Sequence, residues 1–459
     1  MRNNKKIFFF TIVVACIVNI YSWHLPFFWD TILTSTITQH FYENGFQQFI
    51  VPAQLDAGHP PLFYIYVTGF YYLFGKSLFA AHLSILPFTI LGTVSFIKIL
   101  QQYQFENKYQ FIGLLLFFAI PAVLTQNCLV SYDAVLLSLY LLALLAILKQ
   151  KKILFALVLF GIVGVSLRGL FCLASLSITI YFLEKKNVAS WMKWQMYFIP
   201  AIIIILIWLT YHYTQTGWFI STNAAQWNEQ RGFANIFQIF KNGISIARCF
   251  FDLGIVIVSL LSLFYLVQKR KLDDYTWLWL IPFLVFSISL LLFKNPINHR
   301  YFLIVYVLML LPVIQFLSSK KIIYAVLTTC ILLLGHFQIY PVPISNGWDC
   351  TLAHTSYNYV RDDYFGLYAR DFYIDRTTIG TVFPMDASRY QTDLLNDTIR
   401  MINVNGKSID SIQYVLYSNA CNDFSDEQIE QLKSWKSVIR LKNGLVELIL
   451  YINPKFYQK

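Results

Sequence analysis

Charge is scarce in this sequence: Asp, Glu, Lys and Arg make up 13% of 459 residues, against about 25% in an ordinary soluble domain. With 57% hydrophobic and 18% aromatic residues, that shortage excludes a soluble monomer. The chain has no CxxC pair and no Cys/His spacing of a structural zinc site. Its seven cysteines fall mostly inside apolar runs, as Cys16, Cys172, Cys249 and Cys330 do, and read as small hydrophobes. Cys350 and Cys421 lie in the polar C-terminal part and could pair only where it faces an oxidising compartment. GxxxxGK[ST] and GxGxxG are both missing, which removes support for a nucleotide-driven pump or a dinucleotide enzyme. No small-x-small cleavage site follows the first apolar run, so that run is taken as a signal anchor rather than a removed signal peptide.

What is present is a succession of long apolar runs. Eleven are candidates to cross a bilayer core of about 30 Å, near residues 7–23, 78–100, 109–126, 134–148, 153–167, 170–183, 196–213, 250–267, 275–293, 301–317 and 322–340. A further run, Pro60 to Gly75, is shorter, opens on two prolines and is rich in tyrosine. If it does not cross, the clusters Arg2/Lys5/Lys6, Lys108, Lys149/Lys151/Lys152, Lys185/Lys186/Lys193, Lys269/Arg270/Lys271 and Lys320/Lys321 all fall on the cytoplasmic side. It is therefore read as an interfacial or re-entrant segment. The net charge of +11 divides into +13 for residues 1–340 and −2 for the rest. The basic excess thus serves to orient helices and implies no nucleic-acid partner.

These features predict an α-helical polytopic membrane protein of about eleven transmembrane helices in residues 1–340, with a long first outer loop at 24–77. Residues 341–459 follow as a small extracytoplasmic α/β domain. Its signals are β-like runs at Gln413 to Tyr417 and Leu445 to Tyr451 and a capped helix beginning at Ser425. The N-terminus is placed in the cytoplasm, the protein in the cytoplasmic (inner) membrane, and the shorter outer connections at 127–133, 168–169, 214–248 and 294–300.

Acidic groups are few enough in the membrane part to be weighed singly, because a carboxylate at the interface is costly unless paired or used. Glu106, Glu184, Asp273 and Asp274 sit among cytoplasmic lysines as counterions. Six others face outward: Asp30, Glu43, Asp56, Asp133, Glu229 and Asp252. Asp30 follows Pro26-Phe27-Phe28-Trp29 and precedes a helix-like stretch to Tyr42, where it serves as a helix cap, as a desolvated base, or as both. Asp133, in Ser131-Tyr132-Asp133-Ala134, falls on the same predicted face. Two carboxylates there could hold an acceptor hydroxyl or amine, take its proton, or share a divalent cation.

His59-Pro60-Pro61 forms a stiff elbow, with Asp56 three residues earlier. His59, Asp56 and Glu229 are candidates for the acceptor or for a cation, although one His and one Asp are a thin ligand set. Arg168-Gly169 interrupts a long apolar stretch, and Asn298-His299-Arg300-Tyr301 repeats that arrangement. Guanidiniums at a membrane surface suit a lipid phosphate, and equally suit plain interfacial anchoring.

The order of these pieces resembles the GT-C class of membrane glycosyltransferases, in particular the bacterial relatives of protein O-mannosyltransferases and of the lipid A aminoarabinose transferase. The matching residues are Phe27-Phe28-Trp29-Asp30, Gly58-His59-Pro60-Pro61-Leu62-Phe63-Tyr64 leading to Phe74-Gly75, Tyr132-Asp133-Ala134 and Arg300-Tyr301. The resemblance implies transfer of a sugar from a polyprenyl-phosphate donor to a lipid, glycan or protein acceptor outside the membrane. It puts Asp30 and Asp133 at the catalytic acidic positions and Arg168, Arg300 and Tyr301 at the donor phosphate. The aminoarabinose branch tends to carry a Glu where Gly58 stands here, which leaves a bound divalent cation open. The competing class is a multi-helix transporter or lipid flippase, but the sequence shows no internal repeat and its polar groups collect at one surface. A third class, an assembly or receptor protein acting through the C-terminal domain, would not need Asp30.

Overall fold

A computed structural model describes residues 2–23, 30–52, 56, 58–219, 232–252, 254–269, 272–294, 297–334, 377–381, 399–404, 406–418, 424–443 and 446–457. Cys350 and Cys421 lie outside them. In chain order the helices are α1 (Arg2–Ser22), α2 (Asp30–Asn44), α3 (Leu62–Phe74), α4 (Leu78–Leu83), α5 (Leu86–Gln102), α6 (Asn107–Ala119), α7 (Pro121–Cys128), α8 (Tyr132–Leu148) and α9 (Lys152–Val165). They continue with α10 (Gly169–Leu183), α11 (Val188–Gln195), α12 (Ile199–Thr216), α13 (Ile236–Phe251), α14 (Val256–Gln268), α15 (Asp274–Leu291), a 3-10 turn (His299–Phe302), α16 (Leu303–Ser318) and α17 (Ile322–Leu334).

Each of the eleven apolar runs corresponds to a helix or helix pair. Among the described residues, four helices are long and apolar enough to cross a membrane: Leu78–Gln102, Ile199–Thr216, Asp274–Leu291 and His299–Ser318. Counting each of two bent pairs as one span makes six. The bends have physical causes. Pro121 has no N–H to continue α6 and forces Ile120 into extended backbone, so α7 leaves at 72°. A second break separates α13 from α14 by 94°. There the expected outer loop at 214–248 contains most of α13, which forms no continuous apolar run. Its large apolar residues, Ile236, Phe237, Phe240 and Ile244, recur at helical spacing between polar ones, so they form an exposed stripe rather than a run.

The centre of the bundle belongs to α8 and α16, which are apolar on every side and buried along nearly their whole length. α5 packs closely on α8 because Gly92 has no side chain; a Cβ there would stand 2.5 Å from Ser138 Oγ. α10 packs on α15, and α16 on α14 and α15. α3, the Pro60–Gly75 segment, is 13 residues long, about 20 Å of helix, short of a bilayer core. It pairs with α2 through Thr68 Oγ1 donating to Thr38 O (3.1 Å) and Tyr72 Oη donating to Tyr42 O (3.0 Å). Glu184 does more than balance lysines: it accepts from Ser190 Oγ (2.6 Å) and Trp194 Nε1 (3.1 Å), tying α11 to the end of α10.

Beyond the helices lie strands β1 (Thr377–Thr381), β2 (Ile399–Asn403), β3 (Tyr414–Ser418), β4 (Lys436–Asn443) and β5 (Val446–Ile452), ordered β2-β1-β3-β5-β4 among the described residues. β1 runs parallel to β2 and β3, while β5 is antiparallel to β3 and β4. A helix at Asp426–Lys433 begins with the expected cap, Ser425, completed as a capping box by Gln428. The period-two rule divides the sheet faces. Val415, Tyr417 and Tyr451 pack with Leu432 and Trp435 in a small core, whereas Leu416 and Leu450 join the large helical core.

Candidate active site

Three helix starts meet at one end of the bundle. Asp133 lies in the first turn of α8, whose N-cap Ser131 accepts a hydrogen bond from the Asp133 N–H through Oγ (3.1 Å). Arg168 is the N-cap residue of α10, at the tight return from α9 where Gly169 N–H donates to Ser166 O (2.8 Å). Arg300 sits in the 3-10 turn ahead of α16. The turn at Gly169 tolerates no side chain, because a Cβ would stand 2.5 Å from the Ile162 carbonyl oxygen and 2.9 Å from its carbon. Gly169→Ala is therefore expected to cost about 1–3 kcal/mol by overpacking, read as a lower Tm in detergent. Gly161→Ala, which meets only the flexible end of Leu139 at 3.3 Å, is the control that should leave Tm nearly unchanged.

Arg168 Nη1 lies 2.5 Å from Asp133 Oδ1, and Arg300 Nε lies 3.8 Å from Asp133 Oδ2. The carboxylate side chain is 3% exposed, those of Arg168 and Arg300 15% and 11%, so this group is largely screened from solvent. The Arg168 guanidinium packs close to two aromatic rings, 4.9 Å from the Tyr132 centroid and 4.7 Å from the Tyr301 centroid, which restricts its movement beside Asp133. Arg300 Nη2 donates to Tyr301 Oη at 3.3 Å. Four residues singled out from the sequence, Asp133, Arg168, Arg300 and Tyr301, are thus brought together from three separate connections.

His59 adjoins this cluster, its ring edge-on to Tyr132 at 5.5 Å. It also lines a small recess, with room for about one water molecule, together with Asp56, Phe41, Phe49, Tyr64 and Trp208. Asp56 is held on both oxygens: Oδ1 accepts from Gly58 N–H (2.6 Å) and Oδ2 lies 2.8 Å from His212 Nε2. Gly58 has φ +65°, a conformation that favours glycine and turns the chain towards the Pro60-Pro61 elbow. His212 is a contact that the sequence alone does not announce. Its only signal was a polar ring inside the apolar run of α12, where it now fastens the first loop to the end of that helix. His299, beside Arg300, likewise faces a carboxylate, with Nε2 3.0 Å from Asp252 Oδ2.

Asp30 begins α2, and its side chain lies outside the described residues, as does the whole of Glu229. Among the described residues no group of three or more His, Cys, Asp or Glu side chains gathers. Asp133 faces two guanidiniums, a setting that repels a metal ion, and Asp56 is occupied by His212 and Gly58. These carboxylates therefore do not fit a divalent-cation site.

No family model and no curated protein matches the sequence. Solved structures of ArnT from Cupriavidus metallidurans do match in fold, over 96% of this chain and 97% of theirs. The structure bound to undecaprenyl phosphate gives a TM-score of 0.55 at 11% identity, and the apo state gives 0.54 at 12%. Helical bundle and C-terminal sheet together, the chain shares the overall fold of ArnT.

Proposed function

We propose that this protein transfers a sugar from a polyprenyl-phosphate donor to a lipid, glycan or protein acceptor at the outer face of the cytoplasmic membrane. The observation that carries this reading is the convergence of Arg168 and Arg300 on Asp133, framed by Tyr132 and Tyr301 at the common start of three helices. The helix starts add their own positive ends to the two guanidiniums, so the site is built for an anion at the edge of an apolar bundle. The fold adds support, since one ArnT structure sharing it holds undecaprenyl phosphate.

In the proposed step Asp30 takes the proton of the acceptor hydroxyl or amine, which attacks the anomeric carbon opposite the phosphate. The new bond joins acceptor to sugar, the C1–O bond to phosphate breaks, and polyprenyl phosphate leaves with the electron pair. Arg168 and Arg300 stabilise the charge arriving on that phosphate, while Asp133 holds their forks in place. In-line attack inverts the anomeric configuration.

Proteoliposomes containing the protein and lipid-linked sugars extracted from cells lacking it test this directly. Acceptor-dependent release of polyprenyl phosphate, tracked by mass spectrometry, is the expected result. Movement of the intact lipid-linked sugar between leaflets without release would instead make the protein a flippase.

A further inference from the structure

Arg300 is the outlying member of the cluster, 3.8 Å from Asp133, and the 3-10 turn that carries it is only four residues long. Such a short turn does not fix a side chain by its own backbone hydrogen bonds, so the orientation of Arg300 has to be set by neighbours. The adjacent residue supplies one. His299 is 8% exposed, with Nε2 3.0 Å from Asp252 Oδ2 and Nδ1 2.9 Å from Tyr306 Oη.

The direction of these bonds follows from counting hydrogens. Tyr306 Oη lies 2.7 Å from the Cys249 carbonyl oxygen, which can only accept, so the single phenolic hydrogen goes there. Tyr306 Oη must then accept from His299, and Nδ1 carries a hydrogen. One further hydrogen is shared between Nε2 and the Asp252 carboxylate, and whichever atom holds it, the two residues together are electrically neutral.

That neutrality is what distinguishes this contact from a carboxylate placed directly on Arg300. A second carboxylate would hold the guanidinium but cancel its charge, whereas a neutral His/Asp couple fixes the turn and leaves the charge available. We infer that Asp252, His299 and Tyr306 form a positioning brace that sets the direction of Arg300 and Tyr301 towards the donor phosphate. The brace draws on three elements: Asp252 from the bend between α13 and α14, His299 from the turn, and Tyr306 from α16. The inference rests on the donor-phosphate reading of the cluster, and His299 is a positioning residue because it acts through Arg300.

The test is a double-mutant cycle on the full chain in nanodiscs, with undecaprenyl phosphate as the probe ligand. Asp252→Asn, the milder variant because its side chain is partly exposed, and His299→Gln should each weaken binding roughly tenfold, the loss of one charge-assisted contact. In an Arg300→Lys background both effects should vanish, because the residue they position is already gone. Additive losses would overturn the brace, since a general effect on folding does not depend on Arg300. A second readout needs no ligand: in protein labelled with 15N at its eight histidines, the signal removed by His299→Gln should show a protonated Nδ1. An unprotonated Nδ1 overturns the inference whatever binds. Wild-type protein that fails to bind undecaprenyl phosphate would sink the donor reading instead, and the ring-nitrogen spectrum then decides the brace by itself.

Discussion

Arg168→Lys is expected to leave the protein folded and to lower sugar transfer by about 10²–10³-fold, the loss typical of removing one preorganised donor to a developing anion. Lysine keeps a positive charge within reach of Asp133, so the pair that holds the α9–α10 return against α8 survives. It lacks the planar fork that packs against Tyr132 and Tyr301, and its single ammonium cannot hold Asp133 and a phosphate oxygen in fixed directions. Arg168→Met separates the two roles. It removes the closest cation from a carboxylate that is 3% exposed, a change worth about 3–5 kcal/mol of stability. Adding Asp133→Leu should return much of that stability and none of the activity. Thermal unfolding in detergent and turnover with a polyprenyl-phosphate sugar, measured on all three variants, give the two columns. Full turnover in Arg168→Lys would remove Arg168 from the donor site and leave it an anchor.

The helical frame was legible in the sequence because its signal is length and composition. A run such as 134–148 has no polar side to hide, and it becomes α8, apolar all round and central. What escaped was structure set by alternation or by a single residue. Pro121 sits inside an apolar run and gave no break on hydropathy alone, yet its missing N–H bends the helix by 72°. α13 escaped because its apolar residues form a stripe. The site was legible at Asp133, Arg168 and Arg300 because charge in a short connection between apolar runs stands out. The chain does not reveal that Arg168 and Arg300 would share Asp133, since 35 and 167 positions separate them from it. His212, inside an apolar run, reads as a satisfied core histidine, and His299, in a turn beside Arg300, is overshadowed by the charge next to it; only the fold shows that each faces a carboxylate.

Asp30→Asn carries the other large expected effect, and it separates the two roles the sequence left open. Asp30 is the first residue of α2, where a side-chain oxygen can accept from the exposed N–H groups of the opening turn. Asparagine caps a helix start about as well as aspartate, so the substitution preserves that role. What it removes is the ability to take a proton, and a general base typically contributes about 10²–10⁴-fold in rate. Cells carrying Asp30→Asn should therefore resemble cells without the protein, with one surface glycan or lipid lacking its sugar and the polyprenyl-phosphate donor accumulating, both read by mass spectrometry at matched membrane expression. Asp30→Ala supplies the comparison, because it loses the cap as well and should add a stability cost of about 1 kcal/mol. If Asp30→Asn behaves as wild type and only Asp30→Ala is impaired, Asp30 is a cap and the acceptor's proton leaves by another route. Full loss in both variants, with stability lowered only in the alanine, ties the proton transfer to this carboxylate.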